Sequence, residues 1–372
     1  MIYLDYNATT PIDKEVADAM LPYLYGNFGN PSSSHVLGVT AKNAIENARS
    51  QVAQLLNCEP EEIVFTSGGS ESNNTVLKGV AYTYKNKGNH IITSQIEHPA
   101  ILNPCKYLEG LGYEVSYVPV DQYGMVSPAD IENLITEKTI LVTIMHSNNE
   151  TGTIQPIEEI SKICKKHQVL FHTDASQSIG KIAVDIKKLG VDFLTVAGHE
   201  LYAPKGIGAL YIRDGISIEP LIHGAGHEGG RRAGTENTIL EVGLGKACEI
   251  SMAVMKSSKV KELTDYFYTR LKDNFGETIH LNGHTEKRLP NTLNVSFVGY
   301  NGHEVLNDLE DTAASTGSAC HSGMTSVSPV LSAMGVTDEV GRGAVRFSLG
   351  RYTTKEEVDS VITNLNKIII AD

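Results

Sequence analysis

Over the first two-thirds of the chain, short apolar runs with strand character alternate with helical stretches, and no other feature restricts the fold as much. Gly38–Asn57 places Ala41, Ala44, Ile45, Ala48, Val52, Leu55 and Leu56 on one helical face. Glu62–Gly69 reads as a buried strand running into a glycine turn, and Ser70–Tyr84 as the next helix. His90–Ser94, Glu114–Val120, Thr139–His146, Val169–Asp174, Phe193–Gly198 and Ile207–Arg213 read as further strands. Helices are expected from about Pro99 to Leu111 and near Pro156–His167. Such alternation requires right-handed crossovers, and so an α/β fold with a mainly parallel sheet covered by helices on both faces.

Beyond Leu240 the pattern changes. One long helical stretch with Val254, Val260 and Leu263 leads to a strand at Thr292–Gly299, a helix near His303–Leu309 and a strand at Ala344–Gly350. A last helix carries Val358, Ile362 and Leu365. At roughly 100–200 residues per domain, 372 residues suggest two domains, the second a smaller α+β unit.

In open α/β sheets, ligands sit at the carboxyl ends of strands. Five polar clusters fall there. Ser67-Gly68-Gly69-Ser70-Glu71 joins a strand to a helix, where free N–H groups cradle a phosphate or merely cap the helix. Glu97-His98-Pro99 follows the next strand; a histidine there is a structural hydrogen-bonder or a site residue. His146, Asn148, Asn149 and Glu150 end another, with turn capping as the plain alternative. Asp174, with Gln177 close behind, closes an apolar strand. Its charge needs a helix N-terminus or a cationic ligand. Gly198-His199-Glu200 completes the set. Five clusters at successive strand ends favour one composite site.

Arg231-Arg232 follows a glycine-rich stretch and suits a phosphate, a carboxylate or surface ion pairs. Arg346 lies inside an apolar strand and needs a fixed anion, either a structural or a substrate carboxylate. Five cysteines, odd in number and never in a CxxC pair, argue against a disulfide framework and a zinc site. Cys58, Cys105, Cys164 and Cys248 read as small buried hydrophobes. Cys320, among Ser, Thr, Gly and Ala and next to His321, reads as an exposed thiol.

The net charge of −13, with no basic stripe, excludes nucleic acid as an expected partner. No apolar run approaches the roughly 20 residues of a membrane span. The first residues lack the pattern of a signal peptide, so a cytoplasmic location is expected.

Together these residues resemble the cysteine desulfurases of nitrogen-fixation and iron–sulfur-cluster assembly, members of the class V aminotransferase superfamily of pyridoxal phosphate (PLP) enzymes. The likeness is carried by YLDYNATTP, FGNPSS (Phe28–Ser33), IVFTSGGSESNN, IEHPA, MHSNNETGTIQP, FHTDASQ, PKGIGALY, GRRAGTEN, LPNTLNVSF, GSAC and VRFSLGRYTT. It implies a fold-type-I transferase. Residues 12–250 would form the large PLP-binding domain around a mainly parallel seven-stranded sheet. Residues 1–11 with 251–372 would form the small domain. Gly69 and Ser70 would bind the PLP phosphate, His98 would stack on the ring, and Asp174 would pair with the ring nitrogen. Asn149 and Gln177 would hydrogen-bond the phenolic oxygen, and Ala197 and His199 would flank the cofactor. Thr235 would reach the cofactor of the neighbouring subunit in a homodimer. Arg346, helped by Asn30, would clamp the carboxylate of L-cysteine, and Cys320 would take its sulfur, leaving L-alanine. A scaffold or other sulfur-acceptor protein is the implied partner. No metal site belongs to the chain itself, although Cys320 can share in ligating an iron–sulfur cluster.

The family's pattern at the fifth strand end places a lysine where this chain has Glu200, and Ala197 lacks the hydroxyl of many members. A carboxylate cannot form a Schiff base, so PLP is expected to be held non-covalently, with Glu200 left to attempt the lysine's proton transfer. Losing such a transfer typically costs 10²–10⁴-fold. The alternatives are a disabled scaffold or sulfur-relay homologue and a class V aminotransferase-like enzyme.

Overall fold

The computed structural model describes residues 1–316 and 327–369. Seven strands form the main sheet: β1 (Ile63–Thr66), β2 (His90–Ser94), β3 (Glu114–Val118), β4 (Thr139–Thr143), β5 (Leu170–Asp174), β6 (Phe193–Ala197) and β7 (Gly208–Ile212). Their spatial order is β1-β7-β6-β5-β4-β2-β3. All adjacent pairs are parallel except those made by β7, which runs antiparallel to both β1 and β6. The mainly parallel seven-stranded sheet is therefore as expected, with one reversed strand.

Strand side chains alternate between faces, and both faces here are apolar. Ile91, Leu141, Phe193 and Leu210 point into one core with Val76, Leu77 and Val80 of helix Gly69–Thr83 and with Ile101, Cys105 and Leu108 of helix Pro99–Glu109. Their neighbours Ile92, Val142, Leu194 and Ala209 point the other way, against helices Val36–Leu56, Ile157–His167 and Thr238–Val254. This two-sided burial explains why the strands read as continuous apolar runs.

A separate antiparallel sheet has the order β10-β9-β8, with β8 at Ile279–Asn282, β9 at Thr292–Phe297 and β10 at Ala344–Ser348. Phe267, Leu271, Leu293, Phe297, Phe347, Val358 and Ile362 form its core with Leu4. The N-terminal strand Ile2–Tyr3 pairs in parallel with Thr312–Ala313 and so carries Leu4 into that core. The single long helix expected past Leu240 is two, Thr238–Val254 and Val260–Phe275. Between them Ser258 Oγ accepts from the Val260 N–H, the kind of local bond by which serine competes with a helix. The two helices serve different cores. Sequence reasoning also missed β8 and the helix Lys14–Tyr25, which starts where Asp13 accepts from the Glu15 N–H. No helix among the described residues is long and apolar enough to cross a membrane.

Candidate active site

The loops that follow β1, β2, β4, β5 and β6 converge on one cavity of about 550 Å³. It is lined by Gly69, Ser70, His98, Asn149, Asp174, Gln177, Ala197, His199, Glu200 and Arg346, together with Asn7, Asn73, Ser147 and Ser176, which sequence reasoning did not single out. Asn30 and Thr235 are exposed and lie outside this lining; Asn30 Oδ1 instead accepts from the Ser32 N–H. Cys320 lies outside the described residues.

One end of the cavity is built to receive an anion. Helix Gly69–Thr83 starts there with no side-chain cap, so its first N–H groups and the positive end of its dipole face the cavity. Gly68 sits at φ 146°, a conformation essentially confined to glycine, and a Cβ there would meet nothing within 4 Å. Glu71 beside it is spoken for: Arg232 Nε donates to Glu71 Oε1 at 2.8 Å and Nη2 to Oε2 at 3.3 Å. Although burial opposes it, these bonds and one from Ser67 hold the Glu71 carboxyl below its ordinary range. Arg231 donates to the carbonyls of Glu61 and Ile63. Of the readings open for the arginine pair, an ion pair holds for Arg232, with Glu71, while Arg231 serves backbone carbonyls.

At the centre, Asp174 is buried at the end of β5. Asn73 Nδ2 donates to its Oδ2 at 2.7 Å, and the Ser176 N–H and Oγ donate to its Oδ1 at 2.9 and 2.6 Å. Three neutral donors hold the carboxylate, where sequence reasoning left a helix N-terminus or a cationic ligand. Below it His172 is clamped between Thr143 Oγ1 and Thr195 Oγ1, and burial lowers its pKa against the opposing charge of Asp174, which keeps it neutral. His98 is exposed, with Nδ1 accepting from the Ala100 N–H at 3.1 Å, so the helix cap fixes the ring at the cavity wall.

At the far end, Arg346 Nη2 donates to Asp5 Oδ1 at 2.7 Å and Nη1 to the Asn149 carbonyl at 2.9 Å, while Nε is buried with no partner. Asp5 thus supplies Arg346 with one anionic partner, a structural carboxylate. Glu200 is 4% exposed, and Oε2 lies 3.4 Å from Lys181 Nζ. Burial pushes the Glu200 carboxyl up, and the charges of Lys181 and Arg346 oppose that rise. The pairing of Lys181 was missed, although its position four residues after Gln177, whose Oε1 accepts from it at 2.9 Å, was a signal for that contact.

Three of the cysteines read as buried hydrophobes, Cys105, Cys164 and Cys248, are buried, whereas Cys58 is only partly so. Burial pushes the thiols of Cys105 and Cys164 up to about 12, which leaves them protonated and inert.

An uncapped helix start, the His98 ring at the wall and a buried carboxylate at the centre suit a flat heteroaromatic ligand with an anionic tail. The cavity has the volume of an ordinary small-molecule site. The residues present fit PLP.

Comparison with known proteins agrees. The family described as "Aminotransferase class-V" matches residues 2–361. The chain is 49% identical to the cysteine desulfurase IscS of Dictyoglomus turgidum, covering 99% of this chain and 94% of that protein. It is 50% identical to the cysteine desulfurase IscS of Methanosarcina thermophila, covering 99% and 92%. Among solved structures, a NifS-like protein superposes with a TM-score of 0.92 at 40% identity, covering 99% of this chain and 98% of that one. A structure titled "SspA in complex with cysteine" superposes with a TM-score of 0.85 at 39% identity, covering 95% and 100%. With the family matched over nearly the whole of this chain and relatives at about half identity, the chain belongs to the class V aminotransferases.

Proposed function

We propose that this chain is a PLP-binding cysteine desulfurase that holds its cofactor without a covalent link and works slowly. In the balanced reaction, L-cysteine and the Cys320 thiol give L-alanine and a persulfide on Cys320, for delivery to an iron–sulfur scaffold or other acceptor protein. The observation that carries the reading is the single cavity at the strand ends, in which ten of the residues assigned by the family resemblance stand together.

Bound PLP supplies an electron sink. The chain's own residues do the rest. The N–H groups of Gly69 and Ser70 and the Ser70 hydroxyl would hold the phosphate, and His98 would cover one face of the ring. Asp174, fixed by Asn73 and Ser176, would keep a proton on the ring nitrogen. Asn149 and Gln177 would orient the phenolic oxygen. Arg346 orients the substrate carboxylate, and Glu200 stands where the family's lysine moves a proton. Asn30 and Thr235 belong to this reading only through a homodimer in which Thr235 crosses to the neighbouring cofactor.

The test is alanine released from L-cysteine by the purified protein with added PLP, beside Glu200→Lys. Slow but PLP-dependent release from the native protein, rising about 10²–10⁴-fold in the variant, is the expected result. Release from Glu200→Lys alone favours the second reading, a disabled scaffold or sulfur relay. The burial of the Glu200 carboxylate against Lys181 is the observation on its side. Release from neither protein contradicts both.

A further inference from the structure

One cation ties together three residues of the cavity floor. Lys181 Nζ donates to Gln177 Oε1 at 2.9 Å, to Asn7 Oδ1 at 3.2 Å and to Glu200 Oε2 at 3.4 Å. An ammonium has three protons to give, and here each has an acceptor. All three acceptors line the cavity, while Lys181 itself stands behind them with its side chain 10% exposed. Gln177 Nε2 also donates to the Asn7 carbonyl at 3.1 Å. Asn7 Nδ2 reaches Thr292 Oγ1 at 2.8 Å, which joins this floor to the second sheet.

Glu200 has few other charges around it. His199 Nδ1 is 3.9 Å from Oε1, the charge of Arg346 also acts on the carboxylate, and Tyr3 lies close enough to feel it. Burial and the neighbouring cations Lys205 and Lys181 lower the pKa of His199, so it does not supply the missing charge. A carboxylate buried this far ionises only with a cation or several donors beside it, and Lys181 is the cation in hydrogen-bond contact with Glu200.

We propose that Lys181 is a positioning residue of this cavity: its ammonium keeps Glu200 ionised and fixes Glu200, Gln177 and Asn7 as one unit, so that the floor presents a neutral ion pair to the ligand. Burial drives Glu200 and Lys181 towards their uncharged forms, and each resists that drive through the other. Removing the ammonium leaves Glu200 to take a proton from solvent, becoming a neutral carboxylic acid near neutral pH. The ion pair itself needs no ligand; only its effect on affinity rests on the PLP reading.

Two measurements on the full chain test this. In the first, infrared difference spectra of the PLP-free protein are recorded across pH 5–9 for the native chain, Lys181→Met, Lys181→Arg and Lys181→Met/Glu200→Gln. Glu97 and Glu241 give protonated-carboxyl bands common to all four proteins. The expected result is one additional band near neutral pH in Lys181→Met that the other three lack. In the second, PLP affinity is followed over the same range by equilibrium dialysis. Relative to the native chain, Lys181→Met should lose affinity by roughly tenfold or more as pH rises and Glu200 ionises without a partner beside an anionic ligand. The double variant should show no such step. An unchanged spectrum in Lys181→Met overturns the proposal, as does a Lys181→Arg that behaves like Lys181→Met. Should Lys181→Met fail to fold, a folded double variant supports the proposal, and a double variant that also fails overturns it. Absence of PLP binding in every variant contradicts the cofactor reading alone, because the infrared comparison still decides the ion pair.

Discussion

Asp5 and Arg346, 341 residues apart in the chain, meet at the rim of the cavity, with Asp5 Oδ1 2.7 Å from Arg346 Nη2. The pair fastens the N-terminal segment to β10 and holds the guanidinium facing the cavity. Replacing Arg346 with Gln takes away both the clamp for a substrate carboxylate and the cation that Asp5 relies on. KM for L-cysteine should rise at least about tenfold, with a loss of about 1.5–3 kcal/mol in stability, the usual cost of a hydrogen bond to a charged group. Initial-rate kinetics and denaturant unfolding check the two effects separately.

Asp174 gives a second test. Its two oxygens accept from Asn73 and Ser176, so an isosteric Asp174→Asn change keeps the shape while it removes the charge and sets an amide NH2 against one of those donors. PLP affinity should fall by roughly 10- to 100-fold, as expected for one charge-assisted hydrogen bond. A far-ultraviolet spectrum unchanged from the native one would place the loss in the site.

At Gly68 the backbone φ of 146° leaves an alanine no comfortable conformation, although its Cβ would touch nothing. Gly68→Ala should cost about 1–3 kcal/mol through backbone strain alone. Affinity for inorganic phosphate should weaken with it, because the turn presents the N–H groups of Gly69 and Ser70. Calorimetric unfolding with and without phosphate separates the two.

The buried Glu97 should make stability depend on pH. Burial raises its carboxyl to about 8, even with Ser94 Oγ and the Met145 N–H donating to one oxygen, and the other oxygen has no partner. A folded-state pKa raised above the unfolded one means that the unfolded chain loses this proton first. Stability from Glu97 is therefore complete below about 4.5 and is lost as pH rises through about 8. Glu97→Gln, which keeps an oxygen acceptor, should flatten that decline by a few kcal/mol, read from urea midpoints between pH 5 and 9. Glu241, also raised to about 8, would retain its own share.

The large sheet and the five strand-end clusters were legible in the sequence because both rest on local pattern. An apolar run ending in polar residues marks a strand and its carboxyl end together. The partners of the site residues were not legible, since they come from elsewhere in the chain. Asn73 reaches Asp174 from a helix 101 residues away, and Asp5 reaches Arg346 across the whole chain. Local sequence shows that Arg346 needs an anion; only the fold shows that Asp5 provides it. The reversed direction of β7 was equally hidden, because an antiparallel strand inside a two-sided sheet carries the same apolar signature as its parallel neighbours. Lys181 was hidden because its partner Glu200 lies 19 residues on, at the end of the next strand.

The central claim is that PLP occupies this cavity without a covalent bond to the chain, and borohydride reduction followed by denaturation and peptide mass spectrometry tests it most directly. The account expects the native protein to bind PLP stoichiometrically yet release all of it on denaturation after reduction. Glu200→Lys, treated in the same way, should retain it on the peptide that carries residue 200. PLP fixed by reduction to the native chain, on Lys181, Lys205 or any other lysine, would contradict it.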